Sequence, residues 1–194
     1  MDSTKINQIT LDLKSCLDAE RFEHTLGVAE MCVQLAERYG VDKDKAYWAG
    51  LLHDCAKCLS NDELLQIIKE NAEVLGINEC EYLNPKTFHA PAGVIVAKTR
   101  YAIEDTEILD AIRWHTLGRV GMSLFEKIVY LADKIEHRTR PEFCRKPVEL
   151  LLEEKGLDYA ILETYKATIK SLVDRELCIC HQTIDVYNNL LETL

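Results

Sequence analysis

The chain has 194 residues, enough for one domain with a full core, and its 47% hydrophobic content suits a globular fold. A formal net charge of −10 argues against an extended electrostatic groove for nucleic acid, which needs a basic face, but leaves room for a small polyanion at a locally charged site. Only 8 Gly and 4 Pro punctuate the chain, too few for a sheet of many hairpins, and Leu, Ala, Glu, Lys and Ile fill the space between them, so an all-α class is expected. No run of about 18 apolar residues occurs. The opening MDSTKINQITLDLKS has neither a basic n-region nor an apolar h-region. No membrane partner and a cytoplasmic location are therefore expected. In that compartment the eight cysteines (Cys16, Cys32, Cys55, Cys58, Cys80, Cys144, Cys178, Cys180) read as reduced thiols, mostly small buried hydrophobes.

Residues 18–40 carry apolar side chains at Phe22, Leu26, Ala29, Val33 and Ala36, a helical stripe with His24 in its first turns and Gly40 suited to its C-terminal side. A second helix is expected from near Asp42 through KAYWAGLLHD, and SNDE at residues 60–63 is a capping box opening a third. The segment INECEYLNPKTFHAP reads as a loop in which Pro85 and Pro91 bracket His89, with helix resuming at AGVIVAKTRY. Asp105 caps TEILDAIRWH, and Ser123 with Glu126 forms a capping box before LFEKIVYLADKIEHR. Two helical stretches, LDYAILETYKATIKSLVDREL and HQTIDVYNNLLETL, complete one domain over residues 1–194, with a metal-binding core over about 20–140 and C-terminal helices over 148–194 packed on it. No sheet, repeat or low-complexity linker is predicted.

Five places on or beside these helices offer ligand atoms: His24, the His53–Asp54 pair, His89, His115, and Asp133 inside an apolar helix. Imidazole nitrogen with carboxylate oxygen suits Fe, Mn or Zn, and a carboxylate bridges two ions where an imidazole cannot, so Asp54 is the natural bridge. Neighbours on a helix diverge by about 100°, so His53 and Asp54 reach one site only from a helix end. Asp133 has little reason to sit among Val129, Tyr130, Leu131 and Ala132 unless something positive holds it. Any single histidine here also fits a hydrogen-bonded core role. His137 reads as a solvated or supporting group and His181 as a capping residue, with a CICH metal cluster as its alternative. CAKC at residues 55–58 spells a dithiol motif, but it follows a helix instead of opening one, which disfavours redox chemistry.

The stretches LLHDCAK, FHAPAG and AIRWHTLGRVGMSLFEKIVYLADKIE (residues 111–136), with the tail LDYAILETYKATIKSLV, resemble the YqeK family. These are HD-domain symmetrical diadenosine tetraphosphate hydrolases, within the HD superfamily of metal-dependent phosphohydrolases. The resemblance covers nearly the whole chain. It implies an all-α HD-domain bundle with a binuclear centre, commonly iron, with manganese or another divalent ion as alternative. His24, His53, Asp54 and Asp133 would hold one ion and His89 and His115 the second, with Asp54 bridging. Asp54, Lys57 and Asp133 would be catalytic, Lys57 matching the lysine of the H-D-x-x-K pattern that contacts phosphate. GRVGMS resembles the nucleotide-facing loop, where Gly118 permits close approach, Arg119 contributes charge and Met122 packs on a base. Lys134 and either Arg138 or Arg140 would contact phosphate. The implied reaction cleaves diadenosine tetraphosphate to two ADP through a metal-activated water, with ADP or GDP as product-like ligands and a homodimer as the expected assembly. A broader nucleotide phosphohydrolase, or a metal- or nucleotide-binding regulator with little turnover, are the alternatives. The presence of Lys57 and all six ligands disfavours the regulator.

Overall fold

Side-chain acceptors set the helix starts. Asp18 accepts from Arg21 N at 2.7 Å and opens α2 (Ala19–Tyr39), after α1 (Ser3–Cys16). Gly40, at φ 70°, closes α2 in the left-handed conformation that glycine tolerates. Asp42 caps α3 (Lys43–Leu52), and the Ser60–Glu63 capping box opens α4 (Asn61–Glu70), followed by the single turn α5 (Ala72–Leu75). Two 3₁₀ segments, Glu79–Leu83 and Pro85–Thr87, lead into α6 (His89–Tyr101). Asp105 caps α7 (Thr106–Trp114) and the Ser123–Glu126 box opens α8 (Leu124–Ile135). The chain continues through α9 (Glu142–Glu154), α10 (Leu157–Asp174) and α11 (His181–Thr193). This computed structural model describes residues 3–194, and among the described residues there is no strand.

Helix α8 is the centre of the bundle. It buries Phe125, Ile128, Val129, Tyr130, Leu131, Ala132 and Ile135, keeps Leu124, Lys127 and Lys134 in contact with solvent, and packs against α2, α3, α7, α9 and α10. Tyr130 stacks on Tyr165 with ring centroids 5.2 Å apart, which fastens α10 to α8. On the other side α7 bridges α3, α6 and α8, and α11 rests on α10.

Several expectations need correction. His89 does not lie in a loop: it is the first residue of α6, and Pro91 falls in the opening turn, where a missing N–H breaks no helical bond. The last-named helical region begins earlier than residue 148, because α9 carries Pro147 internally and gives up only the bond that residue would have donated. His181 follows the cap, which is Cys180. The cysteines are not all reduced thiols, for Cys80 and Cys180 form a disulfide, while Cys144 and Cys178 are exposed.

Helices α2 and α3 touch through backbone at Gly50, where an added Cβ would meet Ala29 Cα at 2.7 Å and Cys32 Sγ at 3.0 Å. Neither helix can retreat without unpacking α8 from α2 and α3. Gly50→Ala is therefore expected to destabilise the fold by about 1–3 kcal/mol, measured by urea denaturation. Wild-type stability would show that the two helices have slack.

Candidate metal centre

Two histidines reach the site from helix ends in the same way. His53 directly follows α3 and His115 directly follows α7, and each ring donates Nδ1–H to the carbonyl three residues back: Gly50 O at 2.7 Å and Ile112 O at 2.7 Å. That bond fixes the tautomer and turns each Nε2 lone pair inward. His24, from α2, is held at Nδ1 by Glu136 Oε1 at 3.2 Å. Glu136 reaches it across Gly27, where a Cβ would collide with the carboxylate. Thr139 and Arg140 supply backbone N–H groups to the same carboxylate at 3.1 and 3.0 Å, so the holder is itself held.

The inward atoms converge on two aspartates. Asp54, in the turn after α3, has Oδ1 at 3.1 Å from His89 Nε2 and 3.6 Å from His115 Nε2, and Oδ2 at 3.4 Å from His53 Nε2. Asp133, in the last turn of α8, has Oδ1 at 3.0 Å from His24 Nε2. His24, His53 and Asp133 form one group with ligand atoms within 4.8 Å of one another, and His53, Asp54 and His115 form another. Each of the six residues is at most 6% exposed.

These residues fit cations. The Nε2 atoms of His24 and His53 are buried without a hydrogen-bond partner, the contact to Asp133 being close but outside hydrogen-bond geometry. His89 Nε2 and His115 Nε2 face each other at 3.1 Å, although the Ile112 bond leaves His115 Nε2 with a lone pair. Unpaired acceptors buried together are costly unless a positive charge meets them. The C-terminal ends of α3, α7 and α8 also present their negative dipole ends here.

The electrostatics favour ionised aspartates and neutral His89 and His115, whereas at His53 burial is outweighed by the pull of Asp54, which raises that imidazole. Burial would raise Asp54, but His53 and the neighbouring imidazoles of His115 and His89 hold its carboxyl well below the usual range. Burial opposes ionisation of Asp133 too, and Lys134, His24 and Arg140 outweigh it. Burial drives His89 down to about 4 and lowers His115, against the pull of Asp54, which keeps both rings neutral as ligands must be.

Four cations surround the acids. Arg21 Nη1 lies 3.0 Å from Asp54 Oδ2, Arg140 Nη2 is 2.8 Å from Asp133 Oδ1, and Lys134 Nζ is 2.7 Å from Asp133 Oδ2. Lys57 is half-buried, with its N–H bonded to Asp54 O at 2.9 Å, so the helical turn continues and brings it round beside Asp54. Arg21, His24, Thr139 and Arg140 line a cavity of about 310 Å³. Sequence reading missed Arg21, whose signal was its place three residues before His24 on one helix face.

Other expected contacts do not gather here. Arg138 is tied to Glu23 at 2.6 Å and to Glu30 at 2.6 and 3.0 Å, so the arginine that faces the aspartates is Arg140. Arg119 is held by Glu126 at 2.7 and 2.8 Å and by Asp110 at 3.1 Å. Met122 is buried and packs on Gly118, so it is not free to cover a base. At φ 67° Gly118 admits a close approach, but from Tyr165 and Met122 of its own chain. His137 is exposed and bonded to Glu149 at 2.7 Å, away from Asp133. Burial pushes the Cys55 thiol up, which removes the reactive thiolate that a dithiol motif needs.

The HD-domain family model matches residues 21–138, the span that contains His24, His53, Asp54, His89, His115 and Asp133. The chain belongs to the HD-domain family. Its relatives place it in the YqeK branch. The symmetrical bis(5'-nucleosyl)-tetraphosphatase of Bacillus subtilis is 37% identical over 182 residues, covering 92% of this chain and 94% of that one. The Staphylococcus aureus protein of the same name is 32% identical over 175 residues, covering 90% and 89%. A crystal structure from Clostridium acetobutylicum, described as a predicted HD superfamily hydrolase involved in NAD metabolism, superposes with a TM-score of 0.90 at 35% identity and covers 97% of this chain and 98% of that one. As an HD-domain protein the chain is a phosphohydrolase that uses divalent metal, and its His/Asp groups could hold the ion. No helix among the described residues is long and apolar enough to cross a membrane.

Proposed function

We propose that this chain hydrolyses diadenosine tetraphosphate symmetrically to two ADP, in the cytoplasm and as a homodimer. The observation that supports this most is the position of Asp54, whose two oxygens lie between His53 on one side and His89 and His115 on the other. That arrangement suits a binuclear centre with His24, His53, Asp54 and Asp133 around one ion and His89, His115 and Asp54 around the other. The mixed imidazole and carboxylate donors are compatible with iron, and with manganese as the alternative. Bound there, the metals would supply a Lewis acid and lower the pKa of a water.

The protein's own groups do the rest. Asp54 and Asp133 stay ionised and fix the donor geometry. Arg21, Lys57, Lys134 and Arg140 would offer four positive charges to a tetraphosphate bound beside the two aspartates, against the net charge of −10. ADP departs as a stable anion, so these cations, rather than a proton donor, carry its departure. His24 is kept in one orientation by Glu136 and Thr139, which limits motion of the ligand ring nearest the cavity.

Chromatographic analysis of products tests the reading. Diadenosine tetraphosphate is expected to yield ADP alone, with ADP and GDP acting as competitive ligands. ATP with AMP in equal amounts would overturn the symmetrical mechanism, and free phosphate as the main product would assign a broader phosphohydrolase.

A further inference from the structure

Cys80 and Cys180 lie outside the His/Asp centre, and phosphate hydrolysis makes no use of them. They are 100 residues apart in sequence, yet their Cα atoms are 5.1 Å apart, within the span a disulfide bridges. The other six cysteines are free, with Cys144 and Cys178 exposed. Exposed unpaired thiols suit reducing surroundings, where a solitary cross-link is one that forms and breaks as conditions change.

We propose that Cys80 and Cys180 are a reversible thiol–disulfide site that fastens α11 to the 3₁₀ segment Glu79–Leu83. Cys180, at the start of the 13-residue α11, is partly exposed whereas Cys80 is buried, so Cys180 is the attacking sulfur. The oxidant is a small-molecule disulfide. The Cys180 thiolate attacks one of its sulfurs, that S–S bond breaks, and one thiolate leaves. The Cys80 thiolate then attacks the Cys180 sulfur and expels the second thiolate. Two protein thiols lose two electrons and two protons, and the small disulfide becomes two thiols.

The joined segments reach back toward the metal ligands. Asn78 Nδ2 donates to Gln182 Oε1 at 2.9 Å, and Gln182 donates to the carbonyl of Gly118, three residues after His115. Glu81, next to Cys80, pairs with buried Arg113, two residues before His115, at 2.7 Å. Oxidation thus locks α11, the 3₁₀ segment and the end of α7 into one unit. Reduction leaves that junction to its polar contacts.

The test uses the full chain purified under dithiothreitol and incubated with oxidised glutathione. Alkylation under denaturing conditions and peptide mass mapping are expected to find Cys80 linked to Cys180, reversibly. The oxidised form is expected to melt at least about 3 °C higher. Cys180→Ser, at a partly exposed position, should abolish both changes, and Cys178→Ser should keep both. The proposal is overturned if Cys80 and Cys180 stay as open to alkylation as Cys144, if glutathione remains on Cys180 without passing to Cys80, or if the link forms with no change in melting. It is overturned equally if the reduced protein holds one zinc ion per chain that Cys180→Ser releases, because Cys80, Cys180 and His181 also lie within 4.8 Å of one another and would then be metal ligands.

Discussion

Asp54→Ala is expected to lower turnover below about a thousandth of wild type and to remove most of the bound metal. Asp54 is the side chain whose oxygens approach His53, His89 and His115 together, so its loss takes a donor from both halves of the proposed binuclear centre. The fold should survive. Arg21 loses its partner but is 37% exposed and turns to water, so no buried charge is stranded. Without Asp54, the buried His89 and His115 still hold their helix-end positions. His89→Ala removes a donor from one half and should keep the metal of the His24 side. Elemental analysis of the purified variants separates the two, with melting curves confirming that both are folded. Equal metal content in Asp54→Ala and wild type would refute the bridging role, and complete metal loss in His89→Ala would show that the two halves do not load independently.

Much of this site is legible because its signals are local. Asp18, Asp42, Ser60, Asp105 and Ser123 mark helix starts through bonds to residues two or three positions ahead, a relation written in the sequence itself. His53 and Asp54 can share a site only at a helix end, and the end of α3 is where they are. Asp133 in an apolar run requires a positive neighbour, and Lys134 and Arg140 provide it along with the proposed metal. The errors lie where a partner is distant or a local cue is ambiguous. Pro85 and Pro91 read as loop markers, yet proline in a helix's first turn is equally natural, and that concealed the helical start at His89. Choosing between Arg138 and Arg140 depends on which way the turn after α8 swings. Glu136 decides it by gathering the N–H groups of residues 138, 139 and 140. The resulting turn sends Arg138 toward Glu23 and Glu30 and Arg140 toward Asp133. Nothing near Cys80 in sequence announces Cys180.

Lys57→Met should keep the fold and the metals and lose at least about a hundredfold in turnover. Were Lys57 only a surface group, its removal would change stability by less than about 0.5 kcal/mol and leave the rate alone. The structure places it otherwise. It is half-buried at the edge of the centre, where burial lowers its pKa against the pull of Asp54, and it shares the neighbourhood of Arg21, Asp133 and Lys134. An ammonium in such surroundings acts strongly on charge that grows on a phosphate oxygen, because few waters screen it. Removing one such donor costs roughly 2–4 kcal/mol of barrier, or about 10² to 10³ in rate. The effect should fall on kcat more than on KM, since the interaction strengthens as charge develops. Arg138→Met is the matched control: its guanidinium is tied to Glu23 and Glu30, so turnover should stay within a few-fold of wild type, whereas Arg140→Met, which strips a partner from Asp133, should slow the reaction. Near-wild-type kcat in Lys57→Met with metals intact would transfer the phosphate contact to Arg21 and Arg140, and a large loss in Arg138→Met would show that its ion pairs open when substrate binds.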